Sequence, residues 1–188
     1  MEIILEVKPD LVAAASNHAM ERLGYEYDRF NLGNNKRLSM IQMGTVGQML
    51  FRSFLEENNV SYEFQMQAGN FDDFDFVIGN RIVEIKTSGY KDLNDWKDLN
   101  GIYNASQLRT AKQKNYFCSV QLFVNGYDKV TAMFDAERCT VGVIAGWLEI
   151  EEISKYPETQ LKYGPAHLVP LIELKDTLEL INNFRSAT

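Results

Sequence analysis

The stretch Asp73-Phe-Asp-Phe-Val-Ile-Gly-Asn-Arg-Ile-Val-Glu-Ile-Lys-Thr87 decides how this chain is read. Gly79-Asn80 is a two-residue hairpin turn whose backbone suits twisted strands. A two-residue loop fixes register. Ile78 then faces Arg81, Val77 faces Ile82, Asp75 faces Glu84 and Asp73 faces Lys86. Because side chains alternate between faces, Asp73, Asp75, Glu84 and Lys86 share one face with Val77 and Ile82. Phe74, Phe76, Ile78, Val83 and Ile85 fall on the other, which is expected to be core. Two carboxylates directly opposite each other, with Cβ atoms roughly 5 Å apart, destabilise a sheet unless something neutralises them. A hard divalent cation with oxygen ligands does that, and Lys86 adds an ammonium beside the pair.

Two acids and a lysine around one metal suit phosphodiester hydrolysis: the metal lowers the pKa of a bound water and neutralises transition-state charge. The lysine orients or deprotonates that water, or stabilises developing charge. The plain alternative is a solvated charged face on an edge hairpin. Against it, Glu84 and Lys86 stand in an otherwise apolar strand, where charge is costly, and Thr87-Ser88-Gly89 ends that strand in small polar residues.

Upstream, residues 10–23 read as a helix ending before Gly24, with His18 packed inside or on its surface, and 25–40 read as a polar loop. Thr45–Glu57 reads as a second helix with Val46, Met49, Leu50 and Phe54 on its apolar face. Val60–Met66 alternates like a strand. Downstream, Ala105–Lys114 reads as a helix with Asn104 as its N-cap. Phe117–Val124 and Lys129–Phe134 read as a hairpin around Asn125-Gly126, and Val141–Leu148 as another apolar strand. The tail reads as an extended segment near His167 leading into a last helix. Helix, strands, helix, strands predicts one α/β domain with a mixed sheet.

Around that hairpin the chain resembles the PD-(D/E)XK nuclease superfamily. The matching residues are Asp75 and then Glu84-Ile85-Lys86, across a short hairpin. The family's preceding helix, with its Gly-x-x-Gly-Glu stretch, is matched by Gly44-Thr-Val-Gly47-Gln48, where Gln48 stands in the acid's place. The helix and strand after the lysine are matched by 104–114 and 117–124. The resemblance covers roughly residues 44–125 plus the strand-rich tail. It implies a restriction-endonuclease-like α/β/α sandwich with a central mixed β-sheet, over a single domain 1–188. That domain divides into an N-terminal helical extension (1–40), a nuclease-like core (44–148) and a C-terminal strand/helix appendage (149–188). It further implies a metal-dependent hydrolase, an endonuclease acting on DNA. Asp75, Glu84 and the Ile85 carbonyl would hold Mg²⁺, with Mn²⁺ as substitute. Lys86 would act on the water, with Gln48 beside the metal, and Gln107 and Arg109 would approach phosphates. The alternative within the same resemblance is a catalytically silent nucleic-acid-binding or assembly module. For Gln107 a solvent-facing helix position is an equal reading. Trp96 and Tyr103 either stack on bases or pack.

The whole chain has 188 residues, 45% hydrophobic and 24% charged, an ordinary globular balance. No apolar run approaches the ~20 residues of a membrane-spanning helix, and Met1–Val7 carries acids without the basic start of a secretory leader. Two cysteines, Cys118 and Cys139, in apolar surroundings fit a reducing cytoplasm rather than a disulfide scaffold. The two histidines, His18 and His167, are too few and too far apart for a His-based zinc site or a catalytic triad. The formal charge is −7, yet residues 29–55 and 99–127 contain no acid. They hold seven bases: Arg29, Lys36, Arg37, Arg52, Arg109, Lys112 and Lys114. This predicts a basic rim around an acidic metal site, with a phosphate backbone as partner. A homodimer suits double-strand cutting but has no signature in the sequence.

Overall fold

The computed structural model describes residues 2–24, 32–64, 76–90, 99–162 and 164–185. In chain order the elements are β1 (Ile3–Glu6), α1 (Pro9–Leu23), α2 (Asn34–Glu57), β2 (Glu63–Phe64), β3 (Phe76–Ile78), β4 (Arg81–Gly89) and β5 (Asn100–Asn104). There follow α3 (Ala105–Gln113), β6 (Tyr116–Val124), β7 (Tyr127–Asp128), β8 (Met133–Phe134), β9 (Val141–Glu149) and α4 (Ile150–Ile153). Last come β10 (Glu158–Leu161), β11 (Gly164–Pro170) and α5 (Thr177–Arg185). The fold is mixed α/β, as expected: among the described residues it has a curled six-stranded sheet ordered β1-β9-β6-β4-β3-β2, five α-helices and a second, three-stranded sheet ordered β10-β11-β5.

The hairpin has the register expected from its turn: Ile78 pairs with Arg81, Val77 with Ile82 and Phe76 with Val83. Phe76, Ile78, Val83 and Ile85 are buried, as alternation predicts. β4 runs parallel to β6, with Glu84 beside Ser119 and Lys86 beside Gln121. The expected hairpin of 117–124 with 129–134 does not form. β6 instead pairs antiparallel with β9, and Tyr127–Asp128 closes a small ribbon with Met133–Phe134. The Asn125 side chain enforces this exit: its Oδ1 accepts from the Thr140 and Val141 amides at 2.8 and 2.9 Å, tying the end of β6 to the start of β9. With strands on both sides, β6 is buried over nearly its whole length, as central strands are.

α2 begins eleven residues before the helix expected from sequence, so 34–40 is helical rather than loop. Leu38, Ile41 and Met43 continue the apolar stripe toward the N-terminus, and Gly33, with φ of 77°, turns the chain into the first turn. Of the expected strand over 60–66, Glu63–Phe64 is in the sheet and the residues from 65 lie outside the described ones. The segment drawn as an N-terminal extension supplies β1, which pairs with β9 at the sheet edge. Its division from the core falls within α2.

One sheet face packs Phe76, Val83, Ile85, Val120, Leu122, Ile144 and Trp147 against α2, with α1 and α5 completing the layer. α3, α4 and the three-stranded sheet cover the other face through Tyr103, Leu108, Leu148, Ile153 and Val169. Glu84 and Lys86 belong to this second face. His18 and both cysteines are buried, and no helix among the described residues is long and apolar enough to cross a membrane.

Candidate functional site

Lys86 and Glu84, two residues apart on β4, point the same way, and Lys86 Nζ lies 2.7 Å from Glu84 Oε1. Both side chains are largely covered, at 22% and 18% exposure. An ion pair this far out of water is a poor stability device, since desolvation offsets most of its attraction.

A second acceptor meets the lysine from α3. Lys86 Nζ donates to Gln107 Oε1 at 3.1 Å. The start of that helix is fixed by Asn104, whose Oδ1 accepts from the Ser106 amide at 3.0 Å and the Gln107 amide at 3.4 Å. The N-cap read from sequence thus also delivers Gln107 to Lys86. From β6, Gln121 Nε2 donates to the Lys86 carbonyl at 3.2 Å and to Ser88 Oγ at 3.3 Å, pinning the strand on which the lysine stands.

α2 approaches β4 from the opposite face. A Cβ at Gly47 would lie 1.9 Å from Thr87 Oγ1, so glycine is what lets the helix lie on the strand here. Gly44 has nothing within 4 Å of its Cβ position. Gln48, half-buried, belongs to this helix, across the sheet from the face that carries Glu84 and Lys86. Lys36, Arg37 and Arg52 belong to it too.

The structure thus brings Glu84, Lys86 and Gln107 together. Among the described residues it does not gather the expected basic rim around them, and Arg29 lies outside those residues. On α3, Arg109 lies 3.6 Å from Glu158 and Lys112 lies 2.8 Å from Glu151. Arg52 holds Glu56 and the Tyr62 hydroxyl, both at 2.9 Å. The Glu56 carboxylate is held below its usual range by its hydrogen bonds from Tyr62 and Arg52. Arg37 donates to Asn34 Oδ1 and the Leu23 carbonyl, joining α1 to α2. Lys36 and Lys114 are exposed.

Asp73, Asp75 and Trp96 lie outside the described residues. Among the described residues no group of three His, Cys, Asp or Glu side chains is placed to hold a metal ion. Glu84 supplies one carboxylate, and Ile85 lies next to it on the strand. Oxygen donors of this kind suit a hard cation.

Three residues beneath the pair were not singled out as site residues by sequence reasoning, or not in this role. Tyr103 is buried at 1% exposure, so it packs rather than stacking on a base. Ser119 and Gln121, at 0% and 1%, lie under Glu84 and Lys86 on the neighbouring strand. A signal for them exists: Ser119-x-Gln121 repeats, inside an apolar strand, the polar alternation of Glu84-x-Lys86. Burial drives the Tyr103 phenol far above its ordinary value and the Glu84 charge adds to this, while the Ser119 hydroxyl opposes it. Trp147 is core, as its apolar strand predicts.

Comparison with protein-family models, with curated proteins and with solved structures finds no match to this chain.

Proposed function

We propose that this protein is a divalent-metal-dependent nuclease that hydrolyses phosphodiester bonds, with DNA as the substrate class, built on a restriction-endonuclease-like variant of the mixed α/β fold. The observation that carries the reading is the Lys86 ammonium, largely covered on an apolar strand and held between Glu84 at 2.7 Å and Gln107 at 3.1 Å. Glu84 and the Ile85 carbonyl, with Asp75 as the second carboxylate, would hold Mg²⁺ or Mn²⁺. The ion would supply Lewis acidity and a more acidic water. The residues of the chain do the rest. Glu84 orients, Lys86 offers a positive donor where negative charge develops on a phosphate oxygen, and Gln107 keeps that donor aimed when Glu84 turns to another cation. Gln121 holds the backbone of Lys86 still while this happens. The buried free thiols Cys118 and Cys139 fit a cytoplasmic setting.

The test is cleavage of plasmid, linear duplex and single strands, DNA and RNA, with Mn²⁺ at high protein concentration. Glu84→Ala, Lys86→Ala and Asp75→Ala are each expected to abolish cleavage while leaving unfolding by urea intact. A wild type that leaves every substrate whole, or a Lys86→Ala that cuts normally, sinks the assignment.

A second reading has its own support. Gln48 stands where the resembling family has an acid, and Arg109 and Lys112 already face acids. A silent nuclease-fold module that binds nucleic acid fits these facts. Calorimetric titration separates the two: no Mn²⁺ binding, with a retained salt-sensitive gel shift, selects the silent module.

A further inference from the structure

Of the buried polar groups beside the Glu84–Lys86 pair, Tyr103 and Ser119 are not used by the chemistry above. Ser119 and Gln121 are the parallel partners of Glu84 and Lys86, so all four side chains leave the sheet on one face. β5 crosses over them. A Cβ at Gly101 would lie 2.9 Å from Tyr103 Cε2, 3.3 Å from Tyr103 Oη and 3.4 Å from Gln121 Oε1. The tyrosine ring therefore folds back across the glycine and carries its hydroxyl inward.

The polar atoms here are unequally served. Gln121 Nε2 is engaged by the Lys86 and Leu122 carbonyls and by Ser88. Tyr103 Oη and Ser119 Oγ, both fully covered, face each other without a hydrogen bond of full geometry, and neither reaches another partner among the described residues. The phenol feels the Glu84 charge and stays protonated, so it is a donor. A buried donor without an acceptor is costly and is normally satisfied by protein or by ordered water. A buried water makes about three hydrogen bonds. Two hydroxyls and a carboxylate in one corner of the sheet supply that number.

We infer that Tyr103 and Ser119 together hold one buried water that hydrogen-bonds the Glu84 carboxylate, which makes them its positioning residues. The role in metal binding rests on the nuclease reading; the water does not. A high-resolution crystal structure of the full chain tests the water directly. The expected result is a water within hydrogen-bonding distance of both hydroxyls and of Glu84; its absence overturns the inference. Calorimetry with Mn²⁺ alone tests the role. Tyr103→Phe and Ser119→Ala are each expected to weaken Mn²⁺ binding roughly tenfold, as loss of an outer partner does, with the urea midpoint unchanged or slightly lowered. The double variant should be no weaker than either single one, because one water is shared. Gly101→Ala, which displaces the ring, should behave like Tyr103→Phe. Wild-type affinity in Tyr103→Phe and Ser119→Ala refutes the role. If the wild type binds no Mn²⁺, the nuclease reading falls, and the crystallographic water alone decides the inference. If Tyr103→Phe does not fold, Ser119→Ala and the water still decide it.

Discussion

Gly47→Ala is the perturbation whose outcome the structure constrains most tightly. The added methyl would lie 1.9 Å from Thr87 Oγ1, 2.8 Å from its Cγ2 and 2.9 Å from its Cβ. Ordinary contact begins near 3.4 Å, so the helix must retreat from the strand by more than an ångström, or Thr87 must turn. Turning does not suffice, because the Cβ contact remains. Overpacking costs about 1–3 kcal/mol, and a clash this deep belongs at the upper end. Alanine returns about 1 kcal/mol of helix propensity over glycine. The net loss is then about 2 kcal/mol, a fall in thermal midpoint of roughly 4–8 °C for a chain of this size. Thr87→Ala removes the two γ atoms, leaving only the contact at 2.9 Å. It also removes a buried hydroxyl that has no hydrogen-bond partner among the described residues, so alone it should stay within about 1 kcal/mol of the wild type. The double variant must therefore recover most of what Gly47→Ala loses. Urea unfolding of the four proteins, treated as a double-mutant cycle, measures the coupling. A Gly47→Ala as stable as the wild type, or a double variant no better than Gly47→Ala, would refute the reasoning. Because Thr87 follows Lys86, the single variant should also draw the lysine off Gln107.

Two further outcomes are expected. Asn104→Ala removes the cap of α3 and should cost about 1 kcal/mol, or roughly 2–4 °C in a calorimetric scan; an unchanged midpoint would mean the cap contributes nothing. Lys175 sits 2.7 Å from Glu152. Burial pushes the Glu152 carboxyl up, but the hydrogen bonds from Lys175 and the Glu149 amide outweigh it and hold it below the ordinary 4.5. Such a group stabilises the fold above its unfolded value and ceases to as pH falls through the folded one. The stability gap between wild type and Lys175→Met should therefore narrow between about pH 6 and about pH 3, and equal gaps at both would contradict the pairing.

Local chemistry was legible where it was self-contained. Gly79-Asn80 dictated the β3–β4 register, and Asn104 the start of α3, because each acts within a few residues of itself. Burial of Phe76, Ile78, Val83 and Ile85 followed from alternation alone. What failed to show was long-range. Phe117–Val124 and Lys129–Phe134 look like a hairpin to any local rule, yet β6 pairs with β4 and β9, a choice made by burial on both sides. The polar run before Thr45 hid the first turns of α2, since their apolar stripe is completed only by other elements. The site divides along the same line. Glu84 and Lys86 were readable from strand alternation, and their proximity to each other follows. Gln107 was named but its partner was not, because no spacing rule relates a helix to the strand it covers. Ser119-x-Gln121 carried a readable polar alternation, but its place beside Glu84 and Lys86, and that of Tyr103, became visible only when three strands and two sheets were stacked.

The place of β1 at the sheet edge has a temporal consequence. Ile3 pairs with Ile144, about 140 residues later in the chain. At a synthesis rate of about 5–20 residues per second, that partner does not exist until roughly 7–28 seconds after Ile3 is made. The β3–β4 hairpin, whose strands are joined by two residues, has both halves almost at once. β1 emerges before the rest of its sheet and is thus held out of it until β9 arrives, and until then its apolar side chains, Ile3, Ile4 and Leu5, belong to no ladder at all.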